Sequence, residues 1–217
     1  MDKKCPICNN NRLVASAELQ RLIKKCTCEK PAHRLDDILG ADDMVDYLTS
    51  ATEWYDDIDI DLYLAVSPVR DYLLCGGNEQ DRQIIADGLA SELIDQGFRY
   101  LKVDAEEIAD PDTIRSLFEE ALGDNLTILY IENVDKICID RERNLEAEPD
   151  IEKRRNDWEI TMPYLQSYKK LHFSKREVFF LAAADSPENM DPVFTDSVKI
   201  IMLQNHISTK QEWGCEE

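Results

Sequence analysis

Five short apolar runs, alternating with stretches of helical spacing, constrain this chain more than any other feature. Tyr72–Cys75, Phe98–Val103, Thr127–Ile131, Val178–Ala183 and Val198–Leu203 read as strands. Between them, Arg82–Gln96 reads as a helix ended by Gly97, and Pro111–Leu122 as a helix capped by Asp110 and stopped by Gly123. Ile151–Leu171 reads as a longer helix, with a break allowed near Pro163, and its aromatic residues Tyr164, Tyr168 and Phe173 are expected in the core. Strands that are apolar almost throughout, rather than at every second residue, belong to sheets covered on both faces. The fold class is therefore α/β, a five-stranded parallel sheet with helices on both sides. Ligands of such sheets bind beyond the carboxyl ends of the strands.

At the carboxyl end of the first of these strands, residues 72–83 read YLLCGGNEQDRQ: an apolar run, a Gly-Gly turn and the start of a helix. That is the layout of a phosphate-binding loop, GxxxxGK[ST], which cradles phosphates with backbone N–H groups and a lysine. Gly76 matches the first glycine, with Gly77 behind it. Asp81 stands where the second glycine belongs, Arg82 at the lysine and Gln83 at the hydroxyl that would hold Mg²⁺. A carboxylate in a phosphate cradle repels the ligand the cradle exists to bind. Arg82 can pair with phosphate oxygens, but with Asp81 and Glu79 beside it an intramolecular salt bridge is expected instead. Changing Asp81 to Gly, Arg82 to Lys and Gln83 to Thr together is expected to restore the cradle and detectable ADP or ATP binding.

Ahead of the sheet lie four of the seven cysteines. Cys5 and Cys8 form a C-x2-C pair and Cys26 and Cys28 a C-x-C pair, a set that can converge on one tetrahedral structural Zn²⁺. The tight second pair leaves His33 open as a substitute ligand for Cys28. Residues 13–25 between the pairs suit either a hairpin or a short helix. Cys75 and Cys138 fall in or beside apolar strands and read as buried small hydrophobes. No signal peptide or membrane span is visible, so a reducing, cytoplasmic setting is expected.

Charge divides the chain in the same place. Residues 1–34 carry eight Lys/Arg against three Asp/Glu, whereas the remainder carries 17 against 42. A body this acidic is a poor nucleic-acid binder, because each phosphate contact needs a basic group, and only the basic head suits such contact. Four segments result: a zinc module over 1–34, an acidic helical connector over 35–68, the α/β domain over 69–205, and a tail over 206–217.

Over 69–203 the chain resembles the AAA ATPases. TILYIENVDKICIDRERN resembles their second nucleotide motif, four apolar residues and then Asp-Glu. VFFLAAADSPENMDPVF resembles the sensor-1 strand of the hexameric unfoldases and severing enzymes. The resemblance implies that Glu132 stands for the Mg²⁺-holding Asp, Asn133 for the Glu that polarises the attacking water, and Asp185 for the sensor Asn. After Asp191-Pro192 the arginines that reach a neighbour's site have no counterpart in VFTDSVKI, and the usual helical lid is expected to be absent. A cysteine cluster ahead of such a core is also similar, more distantly, to bacterial replicative helicase loaders.

The expectation is a degenerate, catalytically inactive AAA-like protein. Its nucleotide-site positions would be Gly76, Gly77, Arg82, Glu132 and Asp185, none with a catalytic role, and no ATP or ADP is expected there. It would act as a regulatory or binding subunit or adaptor, with a protein partner such as an active AAA ATPase and with no membrane. The alternatives are a divergent ATPase that uses Arg82 and Glu132 in non-standard roles, or a helicase-loader-like replication adaptor. Neither His172 nor His206 shows an acidic partner in the sequence.

Overall fold

Backbone polar groups in strands buried on both faces must be satisfied within the sheet, and register follows from that demand. In the computed structural model, which describes residues 31, 33–39, 42–53, 71–123, 126–143, 150–173, 178–204 and 207–209, the five expected strands form one parallel sheet. They are β2 (Asp71–Gly76), β3 (Arg99–Asp104), β4 (Thr127–Glu132), β5 (Val178–Ala184) and β6 (Lys199–Leu203), in the spatial order β3-β4-β5-β2-β6. From β2 the chain crosses to the far edge at β3, returns through β4 and β5, and steps past β2 to β6.

Before β2 come β1 (Ile38–Leu39) and helix α1 (Asp42–Glu53). Helix α2 (Glu79–Asp95) links β2 to β3, α3 (Pro111–Ala121) links β3 to β4, and α4 (Ile151–His172) precedes β5. A four-residue helix α5 (Pro192–Thr195) precedes β6, and β7 (Ser208–Thr209) follows it. Three expectations change. Helix α2 begins at Glu79 rather than Arg82, because Asn78 caps it; α4 runs through Pro163 unbroken; and Phe173 lies 72% exposed, outside the core.

Side chains of successive strand residues point to opposite faces, and the core divides accordingly. One face gathers Leu73, Leu101, Leu129, Phe180 and Ala182 against α3, α4 and Phe194 of α5. The other gathers Tyr72, Leu74, Ile128, Tyr130 and Leu181 against Ile85, Leu89 and Leu93 of α2. The segment read as a connector adds Leu35, Ile38, Leu48 and Ala51 to this second face, and Ile207 joins them. Antiparallel pairing of β1 with β7, Ile38 opposite Thr209, ties the two flanks together. Asp110 caps α3 as expected, accepting from the amides of Asp112 and Thr113. No helix among the described residues is long and apolar enough to cross a membrane.

Candidate functional site

The strand order leaves a crevice where the chain's path diverges on either side of β2, and the sequence-predicted positions meet there. Gly76 closes β2, Glu132 closes β4, and Asp185 follows β5 directly. The backbone N–H of Gly76 donates to the carbonyl of Asp185 at 3.1 Å, which binds the loop to the end of β5. Gly76 has φ +74° and Gly77 φ +60°, a region that side chains other than glycine's rarely adopt. At Gly76 the need is doubled: a Cβ there would lie 2.8 Å from the carbonyl oxygen of Leu203 in β6.

The loop itself is short. Only Gly77 and Asn78 separate β2 from α2, so residues 79–83, where the motif places the end of the cradle, are already helical. Two amides at the start of α2 are taken up by a cap. Asn78 Oδ1 accepts from the Asp81 amide at 2.8 Å, and Asp81 Oδ2 accepts from the Asn78 amide at 3.2 Å, a reciprocal capping box. Asp81 Oδ1 also accepts from the amide of Ile207 at 3.1 Å, beyond β6. Asp81 is thus a structural acceptor, buried to 1% exposure. Its carboxylate serves the helix cap instead of facing a ligand.

Arg82, at the position of the motif's lysine, is held within the loop. Its guanidinium donates to Gly76 O at 3.0 Å and to Asp185 Oδ1 at 2.8 Å, and reaches Gly77 O at 3.5 Å. The expected salt bridge exists, but with Asp185 rather than Asp81 or Glu79, because the capping box already holds Asp81 and the guanidinium points toward β5. The pair is lopsided: the Arg82 side chain is 3% exposed and that of Asp185 76%. Next to it, burial pushes the Cys75 thiol up to about 12 despite the Arg82 charge, and burial likewise raises Cys138. Both remain neutral thiols, as expected of apolar fillers.

The other motif positions are engaged as well. Glu132 is buried and lies 3.7 Å from Lys102 Nζ of β3, which also sits over the Tyr130 ring. Asn133, in the left-handed region at φ 53°, donates through Nδ2 to Asp104 Oδ1 at 3.1 Å. Gln83 reaches Asp87 at 3.5 Å, and Asp87 accepts from the Tyr100 hydroxyl. Burial raises the Tyr100 and Tyr130 hydroxyls well above their ordinary range, reinforced by the acidic groups around them. What the structure brings together is therefore a ring of pairs: Arg82 with Asp185, Glu132 with Lys102, and Asn133 with Asp104.

At the opposite, amino end of the sheet lies a cluster the sequence reading missed. Asp71 Oδ2 accepts from the Tyr168 hydroxyl at 2.9 Å and sits 2.5 Å from His172 Nδ1. His172 therefore has an acidic partner, 101 residues away in the chain. The α4 spacing put Tyr168 and His172 on one helix face, since i and i+4 are neighbours there, but carried no signal of Asp71. Cys5, Cys8, Cys26 and Cys28 lie outside the described residues, and the alternative ligand His33 is half-buried.

The family model for the ATPase family associated with various cellular activities (AAA) matches residues 72–205. No curated protein matches the chain. Among solved structures, a chain of the E. coli MS115-1 HORMA:CdnC:Trip13 complex aligns with TM-score 0.57 and 12% identity over 76% of this chain. The alignment spans 63% of that chain's length. At such identity the likeness speaks for the fold alone. With the sheet order, the convergence of the loop with the ends of β4 and β5, and a model match over more than half its length, the chain belongs to the AAA family.

Proposed function

We propose that this protein is a catalytically inactive AAA member that works as a binding or regulatory subunit, or as an adaptor, of an active AAA ATPase or another ring assembly. The single observation that supports this most is that the Arg82 guanidinium, at the motif's lysine position, is already held by Gly76 O and Asp185. Phosphoryl transfer depends almost wholly on positioning and charge neutralisation, with a metal, a cradle and an oriented water. Here the Asn78 and Asp81 amides serve a helix cap, Glu132 has Lys102 beside it, and Asn133 cannot accept a proton. The structural neighbour comes from a complex named for HORMA, CdnC and Trip13, which fits a reading in which an AAA fold works beside protein partners.

Hydrolysis of Mg²⁺-ATP by the purified protein tests the reading. Phosphate release should stay at background, and titration calorimetry should show no Mg²⁺-dependent ATP binding. Turnover that disappears on Arg82→Ala would establish a divergent ATPase instead. The acidic body implies a partner contact steered by charge. Association with an intact AAA protein of the same host should therefore slow as salt rises from about 50 to 500 mM; a salt-independent rate would refute the steering. The cysteine spacing of the head supports a second part of the proposal, a structural Zn²⁺ held by Cys5, Cys8, Cys26 and Cys28.

A further inference from the structure

Resting on the reading that the crevice takes no nucleotide, we propose that Asp185 is a resident anion: its carboxylate sits on Arg82 as a tethered internal ligand and clasps α2 to β5, so that the domain holds one state whether or not nucleotide is present. A buried guanidinium requires a counter-charge, since an uncompensated ion in a protein interior is strongly destabilising. Among the described residues Arg82 meets two backbone carbonyls and one anion, Asp185. Among the same residues no acceptor reaches its Nε. The anion comes from the solvent side, with three-quarters of the Asp185 side chain exposed, so it approaches Arg82 from the direction a soluble anion would take.

The clasp joins two strands and a helix. Gly76 of β2 donates to the Asp185 backbone while accepting from Arg82, so the two bonds close a loop through β2, α2 and the end of β5. The neighbouring Asp81 carboxylate holds the Ile207 amide, and β7 pairs onward with β1. Residues 81 and 82 therefore link the loop to β5 on one side and to the β6–β7 segment on the other. The Arg82–Asp185 pair adds a side-chain tie to the backbone bond between Gly76 and Asp185 and to the pairing of β2 with β5.

Because Asp185 is exposed, replacing it leaves the apolar core untouched and separates a charge effect from a packing defect. Asp185→Ala should lower the melting temperature by about 5 °C or more, since it strands a buried charge. Sodium pyrophosphate at about 10 mM, compared at matched ionic strength with sodium chloride, should restore at least half of that loss by supplying the missing anion. The wild-type protein should not respond to it, and Arg82→Ala/Asp185→Ala should not be rescued. A melting temperature within about 1 °C of wild type for Asp185→Ala would overturn the proposal. So would a loss that pyrophosphate does not repair, or a wild-type protein that pyrophosphate stabilises equally. Hydrolysis assays bear separately on the inactive reading: an active wild-type enzyme would sink that reading, whereas an inactive one with no anion rescue would sink only the clasp.

Discussion

Asp81→Ala removes the residue that stands where active phosphate loops carry a glycine, and its cost can be worked from the geometry. Two backbone donors lose a charged acceptor: the Asn78 amide at 3.2 Å and the Ile207 amide at 3.1 Å. Hydrogen bonds to charged groups contribute about 1.5–3 kcal/mol each, and a buried N–H left without an acceptor costs about 1–3 kcal/mol. Against this stand the better helix propensity of alanine, about 0.5 kcal/mol, and relief from burying a carboxylate that is 1% exposed. The balance is a destabilisation of about 3 kcal/mol, or a fall of about 6–12 °C in a domain of this size. Calorimetry measures the shift, and hydrogen exchange at the Ile207 amide reports its cause, because that amide should lose protection before the sheet does. Asp81→Asn, which keeps an acceptor without the charge, should recover part of the loss. A shift under about 2 °C with Ile207 still protected would refute the assignment of Asp81 as a structural acceptor.

Three further outcomes are expected. Asp71→Ala should cost about 2–4 kcal/mol in urea unfolding, since it leaves the buried Tyr168 hydroxyl without its charged acceptor, whereas His172→Ala, on the half-exposed side of the cluster, should cost about 1 kcal/mol or less; the reverse order would show that His172 holds the cluster. The Cys75 thiol, raised from 9.0 to about 12 by burial, should resist thiol reagents in the native protein, and its contribution to stability should be intact below pH 9 and fall as pH climbs toward 12, because the unfolded chain releases the proton first; rapid native labelling at Cys75, mapped by mass spectrometry, would contradict this. Elemental analysis should find about one Zn²⁺ per chain, with a chelator releasing it together with two or more newly reactive thiols among Cys5, Cys8, Cys26 and Cys28; a metal-free protein with intact function would dispose of the zinc module.

The inner strands β2, β4 and β5 were legible because they are buried on both faces, so burial writes an apolar run into the sequence, whereas the edge strand β6 keeps its apolar run although Met202 is exposed; all five lie within about one or two residues of their expected bounds. Helix starts were less legible where polar residues decide them. The capping box of Asn78 and Asp81 starts α2 at Glu79, three residues ahead of the expected start, and the phosphate-loop pattern drew attention to the charge of Asp81 rather than to its ability to accept hydrogen bonds. Long-range pairs were not legible at all. Nothing local in the sequence signals that Asp71 meets His172 or that Arg82 meets Asp185, 101 and 103 residues away, because such contacts follow from strand order and not from spacing along the chain.

That difference changes what a repaired loop would mean. Read from the motif alone, Asp81→Gly with Arg82→Lys and Gln83→Thr returns the missing parts of a phosphate cradle. Read from the structure, the same three changes remove the capping carboxylate, the Ile207 contact and the guanidinium that Asp185 neutralises. Glycine inside a helix adds about 1 kcal/mol of cost. The helix would still begin at Glu79 through Asn78, leaving only two loop residues to wrap a phosphate. The triple variant should therefore melt well below the wild type and bind ADP no better. Recovery of ADP binding in calorimetry without loss of stability would show that the loop can relengthen by unwinding the first turn of α2, and that Asp81 and Arg82 are replacements laid over an intact cradle rather than parts of a rebuilt one.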